Sequence, residues 1–488
     1  MKNIFKKHYS NVAFAIILSL GTSCKKMIEI KPPVDKITGQ TVYNNLSTSV
    51  AAINGIYAQM VNEISGRVPE LSVLPDELVP MAPDPVLLNY DVYTNNYIRY
   101  FDLQKSYWAS FYKIFIYRAN SLIEGVKLSQ GLTPNQKKIL VSEAKFIRAF
   151  SYFYLLNLYG DVPLVISTDL KTNESIPRTT TEIVYQQIIS DLIEAEENLT
   201  QNYLSPDLLT PTIDRVRPNK YAAAALLARV YLFHEEWDKA EAEATKVINN
   251  TAYFELLQNL DQVFLKNSRE TIWALQPNYQ SGDGQSNNTL EGGTFIPSSS
   301  LLKYYVCDSL YQSFEANDKR KANWLAVYED SSVIPSIKRY YPFKYKVGSN
   351  VTGGAQEQTE YSIVLRLAEQ YLIRAEARAH SNNSVGAIED LNIIRGRAGL
   401  EPAQALSQTE LLSSIIKARR IEFFSEYGMR WFDLKRLRKI DEVMANFAPL
   451  KGGSTWASYK ALLPIPLSEF INNPSLRGHQ NPGYPETF

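Results

Sequence analysis

Apolar residues recur at three- and four-residue intervals through most of the chain, the period of a helix with one buried face. Val50, Ile53, Ile56, Tyr57 and Met60 open the series. Residues 104–128 carry Trp108, Phe111, Tyr112, Phe115 and Ala119 on one stripe, which reads as core. Thr133-Pro134 supplies an N-cap and a Pro at the first helical position for a helix that runs to Tyr159 and stops at Gly160. Another helix spans Thr180 to Leu199. Two later segments read as helix pairs: Asn219 to His234 with Glu236 to Asn249, and Ser362 to Ala379 with Ser384 to Ala398. Their second members begin alike, Trp237-Asp238-Lys239-Ala240 and Val385-Gly386-Ala387-Ile388, and small residues there let helices approach. This is the texture of tetratricopeptide-like pairs, divergent and not in tandem. A last helix covers Gln408 to Glu426.

The periodicity lapses between 268 and 360. Residues 281–288 and 348–359 are polar and Gly-bearing, and short β-like runs lie nearby at Thr271 to Leu275 and Lys338 to Tyr345. Long irregular stretches inside a compact chain are often functional. Leu462 to Tyr484 is rich in Pro and Asn and reads as extended chain packed over the body, with a frayed tail as the alternative. The pattern therefore predicts a mainly α fold with loops and a few short β-strands. A helical scaffold covers 46–267 and 361–440, a loop-rich ligand-side insertion 268–360, and an extended C-terminal segment 441–488, together one domain over 46–488.

The first residues read as an address. Lys2, Lys6 and Lys7 precede the apolar run Val12 to Leu20, which is too short to span a bilayer as a helix. Leu20-Gly21-Thr22-Ser23-Cys24 follows and resembles a bacterial lipoprotein cleavage site, although Leu20 lies one position further from the Cys than that pattern prefers. On this reading 1–23 is a signal peptide, Cys24 is lipidated, and 24–45, with Pro32-Pro33, is the tether. Ordinary signal cleavage leaving Cys24 as a free thiol is the alternative. No second apolar run reaches membrane-spanning length, so attachment would come through lipid.

Composition narrows the chemistry. Lys+Arg and Asp+Glu are 51 each, which offers no concentrated basic footprint for nucleic acid. Four His and two Cys exclude most metal-rich or disulfide-stapled designs. Once Cys24 is used, Cys307 has no internal partner and reads as a small buried hydrophobe. No phosphate loop, dinucleotide fingerprint, His-Glu-x-x-His or Cys-x-x-Cys is present, and no cofactor or metal is expected. His234, His380 and His479 read as surface or capping residues. Asp76-Glu77 could mimic a glycosidase pair, but capping or a hydrogen bond to a ligand hydroxyl is the simpler role. Arg430 with Asp433, and Arg419 or Arg420 with Glu422, read as a structural salt-bridge network on helical spacing. The 31 Tyr stand out, because an apolar ring with a polar tip suits wet binding surfaces.

Several segments, in order, resemble the SusD/RagB family of outer-membrane nutrient-binding lipoproteins. They include Cys24-Lys25-Lys26, residues 51–57, residues 143–150 running on to Leu158-Tyr159-Gly160-Asp161-Val162-Pro163, and residues 221–232. The series continues with 391–400, Arg419-Arg420-Ile421-Glu422-Phe423, Gly428-Met429-Arg430-Trp431-Phe432-Asp433 and Asn481-Pro482-Gly483-Tyr484. The resemblance implies a SusD-like helical scaffold whose loops hold ligand, no catalysis, and a SusC-like TonB-dependent transporter as partner. It also implies a place in the cell outer membrane, lipid-anchored and facing the exterior. Lys25-Lys26 after the Cys departs from the acidic residues often found in exported relatives, which bears on that outward orientation.

The ligand expected from the residues is an oligosaccharide, since flat rings cover sugar faces while Asn, Asp and Arg bond the rim. Two regions combine these types. One holds Tyr90, Tyr93, Asn95, Asn96 and Tyr97, with Asp76 as a further candidate to bond a ligand hydroxyl. The other holds Tyr279, Asn287, Asn288, Trp324, Tyr340 and Tyr341. A peptide ligand, an anchored glycan hydrolase, and a protein-binding helical scaffold are the competing readings.

Overall fold

The computed structural model describes residues 42–82, 88–97, 107–277, 289–298, 301–349, 358–404 and 407–486. Its centre is a 26-residue helix. Helix α1 (Leu46–Glu63) starts on Asn45, whose side chain accepts from the Ser47 amide. The aromatic stripe follows, with Ser110–Ile116 as a π-helical turn leading into α2 (Tyr117–Leu128). Trp108, Phe111, Phe115 and Ala119 are all buried. Helix α3 (Pro134–Tyr159) begins with a capping box between Thr133 and Gln136 and has Pro134 in its first turn. From Ile139 onward nearly every residue is buried, because α2 packs on one side and α4 (Thr181–Asn198) on another.

Helices α5 (Lys220–Phe233) and α6 (Trp237–Ile248) form the first pair. Helices α7 (Leu367–His380) and α8 (Ser384–Arg397) form the second. The pairs are far apart in sequence, yet α6 packs directly on α7. Arg378 Nε donates to Glu241 at 2.7 Å, and the His380 ring stacks on Trp237 at 4.0 Å between centroids. The intervening chain leaves and returns, so the two pairs stack as neighbours. Helix α9 (Gln408–Phe423) carries a capping box from Ser407 to Glu410, and α10 (Met429–Arg436) follows it.

Among the described residues eight short strands pair as four two-stranded antiparallel sheets. These are β1 (Leu78–Pro80) with β5 (Tyr304–Val306), β2 (Tyr203–Leu204) with β3 (Pro211–Thr212), β4 (Thr271–Leu275) with β8 (Ser362–Arg366), and β6 (Leu325–Asp330) with β7 (Ile337–Pro342). The sequence pattern placed Ser362 to Arg366 inside a helix, whereas the structure makes them β8 and starts α7 at Leu367. All five are buried, as are their partners in β4. A fully buried strand shows no alternation, so its period cannot be told from a helix. The expected helix to Glu426 ends at Phe423.

The C-terminal segment is less extended than its composition suggests. It holds α11 (Ile440–Phe447) and α12 (Leu467–Asn472), with irregular chain between. It straps the end of α3. The Leu463 amide donates to the Leu158 carbonyl at 2.7 Å, and Asn481 Nδ2 donates to those of Tyr159 and Leu463.

A buried charge cluster joins the 268–360 insertion to the helices. Arg366 meets Glu270 at 3.0 Å, Glu422 at 2.6 Å and Glu426 at 2.9 Å. Arg397 also reaches Glu270 and Glu422, Arg320 bridges Asp318 and Glu422, and Lys344 bonds Glu426. Each buried charge is thus matched by opposite charges within bonding distance, the condition for tolerating it. The local pairings expected from helical spacing are replaced. Arg419 takes Asp433, and Arg430 takes Asp76 across 354 positions. A buried carboxylate needs several donors, and residues three apart on one helix cannot supply them all.

Candidate functional site

Three chain segments converge on a cavity of about 440 Å³. The first is the turn after the short helix Leu88–Tyr93. Asn95 adopts positive φ there, which Asn tolerates better than most residues, and its side chain turns inward. Asn95 Nδ2 donates to the Leu74 carbonyl at 3.2 Å and to the Tyr97 hydroxyl at 3.0 Å. The second segment is Gly452 to Lys460. Gly452 sits at φ +66, and a Cβ on it would stand 2.8 Å from the Tyr90 hydroxyl, so only glycine fits. Ser454 Oγ donates to the Thr94 carbonyl, tying the two segments together. The third is Gly483 to Pro485. The Tyr459 ring packs where a Cβ on Gly483 would be, at 2.5 Å.

The aromatic wall is a chain of three rings. Tyr97 and Tyr484 lie 6.4 Å apart and tilted, and Tyr484 meets Tyr459 edge-on at 5.0 Å. Tyr97 is buried and forms floor, while Tyr459 is 37% exposed. Burial holds the Tyr97 hydroxyl above the usual phenol range, so it stays a neutral donor and acceptor. Asn96 is exposed at the rim. Neutral hydroxyls, amides, a lysine and ring faces make a surface suited to a hydroxylated ligand with apolar faces.

Of the residues picked from sequence, Tyr90, Asn95, Asn96 and Tyr97 line this cavity. Tyr93 is buried beside it, its hydroxyl pushed up to about 12 by burial. Asp76 is not at the cavity. It is buried between Arg430 at 2.8 Å and Arg420 at 2.7 Å, so its oxygens are engaged by guanidinium groups. The second region does not assemble. Trp324 is fully buried, with Nε1 donating to the Leu260 carbonyl, Phe264 edge-on, and the Lys344 ammonium 4.9 Å from its ring. Both ring faces are taken by protein, which corrects its reading as a platform. Tyr340 and Tyr341 are half-buried on β7, away from the cavity. Cys24, Tyr279, Asn287 and Asn288 lie outside the described residues. Sequence reasoning missed Tyr459, Tyr484 and the 452–455 turn. The Gly452-Gly453 pair and Gly483, each beside tyrosines in space, were the available signal.

Glu77 is buried behind Asp76, and burial pushes its carboxyl up to about 8. It faces Arg430 and Asp76 rather than the cavity, and no carboxylate lines the cavity among the described residues. Cys307 is buried, its thiol donating to the Asp76 carbonyl. Among the described residues no group of His, Cys, Asp and Glu is arranged to hold a metal, and no helix is long and apolar enough to cross a membrane. A larger cleft of about 730 Å³ lies elsewhere, beside α1. It shares no residue with the tyrosine cavity and lacks its aromatic wall.

A family model described as the SusD family matches residues 283–484, and one described as starch-binding associating with outer membrane matches residues 38–232. The chain is 30% identical to a SusD-like protein of Formosa agariphila over 97% of this chain and 99% of that one. A SusD superfamily protein of Bacteroides vulgatus is similar in structure, with a TM-score of 0.74, 19% identity, and 91% of this chain and 100% of that one covered. A laminarin-binding SusD-like protein is similar with a TM-score of 0.73, 24% identity, and the same coverage.

Proposed function

The chain belongs to the SusD family, and on that premise we propose that it is a lipid-anchored glycan-binding protein delivering oligosaccharide to a SusC-like TonB-dependent transporter. The reading rests above all on the convergence of Tyr90, Asn96, Tyr97, Tyr459 and Tyr484 on one cavity. Its volume falls in the range of about 300–1,000 Å³ common for small-ligand sites. A sugar unit would lie against the Tyr459 ring with its hydroxyls toward Asn96 and the 452–455 turn. Relatives described as laminarin-binding and starch-binding support a glucan-like ligand. The reading is of binding without turnover: among the described residues the cavity offers no carboxylate pair across which a glycosidic bond could be cleaved.

In this reading residues 1–23 are removed, Cys24 carries the lipid, 24–45 is the tether, and the body faces the cell exterior. Calorimetric titration with laminarin- and starch-derived oligosaccharides tests the binding. Tyr459→Ala and Asn96→Ala should each weaken it, the aromatic change by about 1–3 kcal/mol by analogy with other stacking platforms. Unchanged affinity in both would place the ligand elsewhere, and shortened products after incubation would make the protein a hydrolase.

A further inference from the structure

The cleft of about 730 Å³ lies between α1, the β2–β3 hairpin and the ends of β4 and β8. Its polar groups are held in fixed orientations by partners behind them. Arg217 is clamped by Glu143, with Nη2 to Oε1 at 2.7 Å, and its Nη1 donates to Asn54 Oδ1 at 3.0 Å. Arginine has only donors, so the oxygen of Asn54 must face it and the amide NH₂ must face out. Gln358 Nε2 donates to the Pro277 carbonyl at 2.7 Å, which turns its Oε1 toward Gln276 Nε2. That leaves Gln276 Oε1 as an outward acceptor. Asp214 takes Asn267 Nδ2 on Oδ1 at 3.0 Å, and Oδ2 has no hydrogen-bond partner among the described residues.

The cleft therefore presents one donor, one amide acceptor and one carboxylate oxygen, each pre-oriented. Glu143 neutralises Arg217, so the guanidinium offers no unmatched charge to an anionic ligand. Such a wall favours no strongly charged ligand. Tyr57 and Val216 add apolar surface to it, and Tyr57 is fixed by its hydroxyl donating to Glu143 at 2.8 Å. Few, oriented polar groups on a partly apolar wall are the usual makings of a small-ligand site.

We infer that this cleft is a second binding site, for a neutral hydroxylated ligand such as a stretch of uncharged oligosaccharide, independent of the tyrosine-lined cavity. Vicinal hydroxyls would bridge Asp214 Oδ2, Gln276 Oε1 and Asn54 Nδ2. Only the ligand class rests on the function proposed above, because the two sites share no residue.

Hydrogen exchange with neutral laminarin oligosaccharides, on wild type and on Asn54→Ala, Gln276→Ala and Tyr459→Ala, separates the two sites. Asn54 and Gln276 are exposed, Asn54→Ala also removes an acceptor from Arg217 Nη1, and matched thermal melts check that each variant keeps its fold. The expected result is ligand protection of 54–58 and 204–217 that Gln276→Ala and Asn54→Ala reduce at least fivefold and Tyr459→Ala leaves intact. Protection confined to 90–97 and 452–460 would overturn the second site and leave the first standing. Protection confined to the cleft would support this inference and remove the cavity from the function proposed for it. No protection at 54–58 with any neutral oligosaccharide, or protection that all three variants leave unchanged, overturns it.

Discussion

The ammonium of Lys451 stands 3.3 Å from Asn95 Oδ1, directly behind the wall of the tyrosine-lined cavity. It also donates to the carbonyls of Val73 and Leu74, at 2.7 and 2.6 Å. Asn95 then holds Tyr97. One buried amine thus orders the floor of the cavity, and no carboxylate closes on it within salt-bridge distance among the described residues.

Burial brings Lys451 down to about 7, against weaker upward pulls from Asp76 and Cys307, whereas an unfolded chain keeps a lysine near 10.4. Between those values the unfolded state binds the extra proton, so stability rises with pH across about 7 to 10 and is flat below. Lys451→Met abolishes that titration. Wild type should therefore gain about 1.4 kcal/mol per pH unit on the variant between pH 7 and 9, measured by denaturant unfolding at each pH. Lys435, also lowered to about 7 by burial, titrates in both proteins and cancels. A pH-independent difference would mean that Lys451 is not buried as described.

Trp324 is predicted to matter for folding and not for ligand. Trp324→Ala opens a hole beside Phe264 and strips the ring from under Lys344, and should cost about 3–5 kcal/mol. Trp324→Phe should keep most of the stability and leave glycan affinity unchanged in titration. A variant that stays as stable as wild type and loses ligand would restore Trp324 to the site.

The difference between Trp324 and Tyr459 marks how far the sequence could be read. Helix spans followed from spacing and caps, as at Thr133-Pro134 and Gly160, because those signals are local. The family followed from ordered segments. The site did not, because composition treats a buried Trp and an exposed Tyr alike. What decides is which neighbours cover the ring, and those come from other elements of the chain. Trp324 is enclosed by Lys344 and Phe264, while Tyr459 reaches the cavity beside Tyr97 only because the C-terminal strap crosses the end of α3. Asp76 was misjudged for the same reason, its partners being Arg420 and Arg430.

Glu422 is the shared acceptor of Arg320, Arg366 and Arg397. Those guanidinium groups hold its carboxyl well below the usual range despite complete burial. A depressed carboxylate contributes stability above its unfolded value, near 4.3, and loses it as pH falls through the folded one. Glu422→Gln should cost about 3–5 kcal/mol at pH 7, the scale for breaking a buried pair. The gap to wild type should narrow as pH drops below about 4. Chemical denaturation across pH 3 to 7 reads both effects, and a gap constant with pH would refute the assigned charge.

The last prediction concerns attachment. In the proposed function the protein is held at the envelope by acyl chains on Cys24. Each buried methylene contributes about 0.8 kcal/mol, which a serine at the same position cannot replace. Cys24→Ser should shift the protein from the membrane fraction to the soluble one while leaving glycan affinity unchanged, because the cavity is built from residues 90–97, 452–460 and 483–485. Intact mass of the wild-type mature chain should show a lipid-modified Cys24 as its first residue. An unmodified amino end, with fractionation the same for both proteins, would refute the anchor and leave the binding site to be judged on its own titrations.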